Sequence, residues 1–191
     1  MKNILTILLL MISSFVFAQE KSNIGFGAII GYKSVVGDGG FIAEYKYKNR
    51  FDFYLGLTYA DFNGLGFVAG ADLFLTNFKW QPCLGFAFNR QSGDYFYSGD
   101  TTEIKTDYIV NGNNNYIVTI GVRKILIIDK IDPIGFMAFT PFLCYRYTYP
   151  ENKVLFTDGY INEAREERIN TRIGGGFGLG LKMVYYFHNK N

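Results

Sequence analysis

The chain has 191 residues, of which 49% are hydrophobic, 18% aromatic and 19% charged, and its net charge is +2. That length suits one domain with a substantial core, and the near-neutral charge excludes a strongly basic nucleic-acid-binding surface. A single histidine excludes most histidine-dependent catalysis and most histidine-based metal sites.

The N-terminus predicts a secretory signal peptide over residues 1–18. Lys2 gives a positive start, an apolar run covers residues 4–17, and Val16-Phe17-Ala18 precedes Gln19. The alternative is an uncleaved anchor, but the run is short for a spanning helix of about 20 residues. In the rest of the chain, the most apolar stretch, 117–128, is interrupted by two basic residues. We therefore expect any membrane crossing to use the strands of a closed barrel.

Residues 19–191 are predicted to form one all-β domain, an eight-stranded antiparallel up-and-down transmembrane β-barrel. Eight segments alternate bulky apolar residues with small or polar ones, which is the period of a strand. Each has about 8–12 residues, close to what a tilted strand needs to cross a bilayer. The segments are 24–33, 41–47, 51–60, 65–75, 80–89, 116–123, 137–147 and 176–187.

On each segment, the side opposite the bulky apolar residues carries glycine and the charged residues. We call it the lumen side. A narrow barrel explains this glycine, because small interior residues make room for larger partners. Both signs of charge share this side, so we predict that they pair inside the lumen rather than face lipid. The predicted lumen charge network is Lys33, Glu44, Lys46, Asp52, Asp72, Arg123, Arg146 and Lys182.

A secreted lipocalin-like barrel is the soluble alternative. It would bury the apolar side and present the glycine-rich side to water. An eight-stranded interior is too small for that many large aromatic rings, so the side-chain volumes favour the transmembrane orientation.

The connections predict the orientation of the barrel. With an even strand count, the links 34–40, 61–64, 91–114 and 150–171 share one end, and the short links 48–50, 76–79 and 129–135 share the other. Long extracellular loops and short periplasmic turns are the outer-membrane pattern, so we expect both termini in the periplasm. Outward-facing aromatic residues at both ends of the segments are predicted to form two interfacial belts.

This architecture resembles the small eight-stranded outer-membrane barrels of Gram-negative bacteria, such as the transmembrane domain of OmpA, and OmpX, a porin-like group. The resemblance covers the chain after residue 18 and rests on architecture rather than on a sequence fingerprint. In that group the last strand usually ends on an aromatic residue that the insertion machinery recognises. Phe187, with Tyr185 two residues earlier, resembles that signal, although four residues follow Phe187 here.

Candidate chemistry is sparse in this sequence. Some barrels of this size are enzymes that rely on a histidine, but His188 would lie in the periplasmic tail with no obvious serine partner, so we predict no enzymatic activity. Cys83 and Cys144 lie on the fifth and seventh predicted strands, and the strand between them puts their backbones too far apart for a disulfide. We predict no catalytic residue, no cofactor and no metal site, and the carboxylate spacing in 91–114 matches no calcium loop.

The sequence thus predicts a non-enzymatic integral outer-membrane protein with a structural or surface-recognition role. Its expected partners are outer-membrane lipid, the barrel-insertion machinery, and an extracellular ligand or protein bound by the loops 91–114 and 150–171, but not nucleic acid. A narrow porin-like channel and an accessory subunit of a larger outer-membrane complex are the alternatives.

Overall fold

The computed structural model describes residues 23–48, 50–60, 64–99, 105–127, 135–149, 154–158, 167, 170–171 and 174–187. The predicted signal peptide and His188 lie outside these residues. Within them, no helix is long and apolar enough to cross a membrane. The strands are β1 (Ile24–Ser34), β2 (Gly37–Tyr47), β3 (Phe51–Ala60), β4 (Gly64–Phe74), β5 (Trp80–Gly99), β6 (Lys105–Ile127), β7 (Gly135–Tyr149), β8 (Val154–Asp158) and β9 (Gly176–Phe187).

Eight of these strands close into an antiparallel up-and-down barrel. Each strand from β1 to β6 pairs with the next one in the chain, β7 pairs with β9, and β9 pairs with β1 to complete the ring. The short strand β8 pairs only with β6 and is not part of the ring. The prediction of an all-β, eight-stranded, antiparallel closed barrel is therefore confirmed.

The predicted loop 91–114 is wrong over most of its length, because β5 and β6 continue further than expected, and the predicted loop 150–171 contains a short strand that was not predicted. In the segment 91–114, β5 and β6 go on pairing from Gly93 with Asn111 to Gly99 with Lys105. In the segment 150–171, β8 adds to β6 beside this hairpin. Barrel pairing of β4 with β5 ends at Gln91, so the added pairs form a three-stranded extension beyond the rim.

The predicted link 34–40 is shorter than expected, because residues 37–40 belong to β2, and the remaining tight turn at Val35 and Val36 folds into the lumen. Val35 and Val36 are almost fully buried, at 2% and 0% exposure. The Asn89 side-chain amide donates a 2.7 Å hydrogen bond to the Val35 carbonyl, and the Ser34 hydroxyl donates one to Gly37. Lys33 takes a positive φ of 48°, and the pairing of β1 with β2 shifts between Ile30 and Ser34. This bulge turns the chain inward.

The outer surface of the barrel is apolar around its whole circumference. Every barrel strand contributes large side chains to this surface, and the most exposed are Phe177 at 81% and Phe41 at 78%. We call it the apolar belt. Its members include Phe26, Ile30, Phe41, Leu55, Leu57, Leu65, Phe67, Leu84, Phe86, Val118, Ile120, Leu143, Phe177 and Leu179.

The lumen is narrow, and glycine makes the room that its large side chains need. A Cβ at Gly70 would lie 2.3 Å from Cζ of Tyr54, and one at Gly180 would lie 2.5 Å from Cζ of Phe142. Both rings are buried inside the barrel. The predicted packing of small residues against large ones is therefore present at these two positions.

Candidate functional site: the charged lumen

Lys182 is the centre of the charged layer. Its ammonium contacts the carboxylates of Glu44, at 2.5 Å from Oε2, and of Asp72. These groups project from β9, β2 and β4, and all three are buried. Because none of these strands pairs with another of the three, the contacts cross the lumen.

A second ion pair joins Asp52 on β3 to Arg123 on β6. The Arg123 Nε donates a 2.8 Å hydrogen bond to Gln81, and its guanidinium carbon lies 3.4 Å from the centroid of the Phe74 ring. Arg123 is 1% exposed, so the guanidinium is enclosed by its ion pair, an amide and an aromatic face. These contacts offset part of the cost of removing the guanidinium from water.

Tyr186 connects the two ion pairs. Its hydroxyl donates to the Glu44 carboxylate and lies 3.1 Å from Oδ2 of Asp52. Its ring stacks on Phe136 with centroids 4.6 Å apart, and the Lys46 ammonium lies 5.3 Å from the Phe136 centroid. Tyr186 is absent from the predicted network, although its position two residues from Val184 and four from Lys182 puts it on the lumen side.

Six of the predicted network residues lie together in the layer around Lys182: Glu44, Lys46, Asp52, Asp72, Arg123 and Lys182. They are three acids and three bases, and each is at least 93% buried. A neutral set lowers the cost of enclosing so many charges in a narrow space. We call these six residues with Tyr186 the lumen network.

Lys33 and Arg146 do not belong to the lumen network. Lys33 Nζ donates a 2.9 Å hydrogen bond to the Gly175 carbonyl, and an Arg146 guanidinium nitrogen donates one of 2.7 Å to Gly174. Both residues thus hold the chain that enters β9 at the end of the barrel where the β1–β2 turn lies. The alternating pattern places Arg146 on its buried side, but it does not give the depth of either residue.

An amide-rich layer fills the lumen near the inward turn, and the sequence pattern alone did not predict it. Thr148 donates a 2.8 Å hydrogen bond to Asn115, whose amide donates one of 3.0 Å to Asn113. Asn89 and Gln91 are buried in the same region. Asn89 already lies on the lumen side of the predicted segment 80–89. The other four continue the period-two spacing of the lumen side beyond the limits of the predicted segments 80–89, 116–123 and 137–147, so the signal was available.

Between the two layers lies a cavity of about 10 Å³, which is room for one water molecule. Val35, Tyr54, Cys83, Phe142 and Lys182 are among its walls. Cys83 and Cys144 are buried free thiols. Among the described residues, no three histidine, cysteine, aspartate or glutamate side chains are placed to share a metal ion. The lumen network can therefore fix strand positions by paired charges, but it leaves little space for a ligand.

The two residues of the predicted insertion signal lie at the end of β9. Phe187 is exposed, and its ring contacts those of Tyr185, at 5.1 Å between centroids, and Phe26, at 6.2 Å. Recognition of these residues by insertion machinery stays a prediction.

Comparisons of the chain with protein-family models, with curated proteins and with solved structures find no match. Its function must therefore be inferred from the fold and from the side-chain geometry.

Proposed function

We propose that this protein is an integral outer-membrane barrel with a non-enzymatic role in surface recognition or envelope structure. The observation that carries the proposal is the distribution of polarity, with the apolar belt outside and the lumen network inside. In water, that arrangement would expose a continuous hydrophobic surface far larger than a monomeric soluble protein normally shows. In a bilayer, the same surface contacts acyl chains and the enclosed charges stay away from them.

The strand lengths support the same placement. β3 has 10 residues and β4 has 11. At about 3.3 Å per residue and a tilt near 40°, such strands cover about 25 Å along the membrane normal, which is the height of the lipid-facing band in outer-membrane barrels. Rings at both limits of the belt, including Tyr59 and Tyr147 at one end and Trp80 and Phe187 at the other, are exposed. They lie where amphipathic rings favour the interface.

The alternatives of a soluble carrier and a channel receive less support. A carrier needs an apolar cavity for its ligand, whereas this lumen is filled by paired charges and amides. A channel needs a continuous polar path through the barrel. Here the buried side chains of Arg123 and Lys182 and the inward turn with Val36 fill the lumen where that path would run. An eight-stranded barrel interior is just wide enough for its own side chains.

The three-stranded extension of β5, β6 and β8 is the part that we assign to recognition. It lies at the end opposite the two short turns at 48–50 and 75–79, so the proposed membrane placement makes it project from the cell surface. Its backbone pairing gives a fixed scaffold, which presents contact residues with a smaller entropic cost than an irregular loop. The predicted extracellular partner would bind here.

Fractionation and electrophoresis test the membrane placement. We expect the protein in the outer-membrane fraction, and we expect its gel mobility in detergent to change on boiling because the folded barrel resists detergent. Recovery of the folded protein in the soluble periplasm, without detergent, would overturn the proposal.

A shortened variant tests the recognition role. Replacing residues 93–111 by a two-residue Asn-Gly turn removes the extension but keeps every barrel pair, since β4 and β7 reach only to Gln91 and Asn114. The variant should retain the heat-dependent mobility and lose binding to whatever cell-surface partner the intact protein captures.

Bilayer recording of the intact protein tests transport, because steady single-channel steps abolished by altering Arg123 would favour the channel instead.

A further inference from the structure

The barrel end with the short turns carries exposed charges of only one sign within the described part of the chain. Lys48, Arg50 and Lys79 are exposed, and Lys124 is partly exposed. The acidic residues nearest this end, Asp52 and Asp72, point into the lumen and are paired there. We call the four cations the basic arc.

The basic arc is continuous along neighbouring strands. Lys48 and Arg50 lie in the β2–β3 turn, and the Arg50 carbonyl accepts a 2.8 Å hydrogen bond from the amide of Phe74 at the end of β4. Lys79 lies in the next turn, directly before Trp80, which is the cross-strand partner of Lys124 on β6. The four cations thus follow the rim from β2 to β6, about half of the circumference.

Two of these cations are held against interfacial rings. The Lys48 ammonium lies 5.1 Å from the centroid of Tyr47, and the Lys124 ammonium lies 4.8 Å from that of Trp80. Both rings are exposed, so the ammonium groups keep access to an outside ligand. Within the described residues none of the four cations has an ion-pair partner. The link 128–134, outside the described residues, contains two aspartates and one lysine in sequence, which is one net negative charge against the four cations.

We propose that the basic arc binds the phosphate groups of anionic phospholipids, in the leaflet where the short turns lie. The inference rests on the proposed membrane placement. Each cation lies at the border of the apolar belt, where lysine and arginine stems run along apolar surface and their charges reach the headgroup level. A phospholipid fits both features at once, its phosphate at the arc and its acyl chains on the belt, whereas free phosphate would use only the first.

Trp80 supplies a reporter inside the arc, because it is the only tryptophan of the chain. The full protein is reconstituted in phosphatidylcholine vesicles that contain a fixed fraction of phosphatidylglycerol, with either lipid brominated on its acyl chains. At equal bulk fractions, we expect brominated phosphatidylglycerol to quench Trp80 as though it were enriched several-fold around the barrel. Raising the salt concentration should reduce that enrichment, since headgroup attraction is screened.

Two variants at opposite ends of the barrel locate the effect. Lys79→Gln with Lys124→Gln should bring the two quenching curves together, whereas Arg90→Gln, which removes an exposed cation at the opposite end, should leave them apart. The fluorescence of each variant is divided by its own value in unbrominated lipid, so that a direct effect of the substitution on Trp80 fluorescence cancels. Equal quenching by both lipids in the intact protein, or loss of the difference in Arg90→Gln, would overturn the inference while the barrel stays in the membrane. If neither lipid quenched Trp80, the membrane placement itself would be wrong.

Discussion

Lys182 and Glu44 meet across the lumen, with the Lys182 Nζ 2.5 Å from the Glu44 Oε2. Their strands, β9 and β2, are both paired with β1 and not with each other. The contact therefore adds a link that backbone pairing does not supply. A barrel whose interior is tied in this way resists both shear of neighbouring strands and flattening of its cross-section.

Replacing Lys182 by methionine should strongly destabilise the barrel. The change leaves the carboxylates of Glu44 and Asp72 buried without their common partner, which typically costs about 3–5 kcal/mol. Urea titration of the refolded protein in vesicles measures the free energy of unfolding. Lys33→Met is the control, because Lys33 gives up one hydrogen bond to a carbonyl and the expected loss is about 1 kcal/mol.

A triple variant separates unpaired charge from lost packing. Glu44→Gln, Asp72→Asn and Lys182→Met together remove the charges on both sides of the contact, so much of the lost stability should return. A triple variant as unstable as Lys182→Met would contradict this explanation.

Gly70→Ala should destabilise the barrel, and Gly39→Ala should not. The added methyl group at residue 70 would fall 2.3 Å from Cζ of Tyr54, whereas at residue 39 its nearest neighbour is the Ile29 carbonyl oxygen at 3.9 Å. Overpacking of this kind costs about 1–3 kcal/mol. The same urea titration compares the two variants. Truncation of the ring in Tyr54→Leu should make Gly70→Ala tolerable, and persistence of the full loss in the double variant would argue against the steric cause.

The inward turn should protect residue 36 from aqueous reagents. We expect Val36→Cys, in a chain with Cys83→Ala and Cys144→Ala, to react slowly with a water-soluble maleimide, while Glu167→Cys reacts at once because Glu167 is exposed. Adding Asn89→Ala removes the hydrogen bond to the Val35 carbonyl, worth about 1 kcal/mol, and should speed labelling of residue 36 about fivefold. Rapid labelling of Val36→Cys alone would show that the turn does not occupy the lumen.

Arginine substitutions at two depths of β3 test the lipid exposure of the belt. Leu55 lies at the middle of the strand and Tyr59 near its end, with similar exposures of 48% and 50%. In a bilayer, arginine should cost about 2–4 kcal/mol at residue 55 and about 0–1 kcal/mol at residue 59. Folding titrations in vesicles give both values. Equal and small effects at the two positions would match a barrel surrounded by water.

The alternation of side chains predicts the fold because successive residues of a strand point to opposite faces. The small and polar residues therefore identify the face that lies toward the interior. That pattern puts Glu44, Asp72 and Lys182 in the lumen and the belt residues outside, as the structure has them. It does not give depth, so it groups Lys33 and Arg146 with residues that lie in another layer. Depth depends on the stagger between strands, which the register of each pair sets and periodicity does not record.

Loop limits are the least predictable part, for a related reason. Val35 and Val36 form the connection between β1 and β2, yet the bulge at Lys33 turns them inward and they are buried in the lumen. The extension of β5 and β6 looks like a loop in sequence because Ser92, Gly93 and Asp94 are turn-forming residues. Pairing across 93–111 outweighs those local preferences.

The seam between β1 and β9 is the one ring contact that joins the two ends of the described chain, with Gly25 opposite Tyr186 and Tyr32 opposite Leu179. Every other pair of neighbouring barrel strands is consecutive in the chain, once β8, which lies outside the ring, is left out. Hairpins can therefore form early from local segments, whereas the seam bears the loop-closure entropy of nearly the entire barrel. Until β9 docks, β1 and β7 each present an unpaired edge, and the half-assembled chain is then most prone to aggregate.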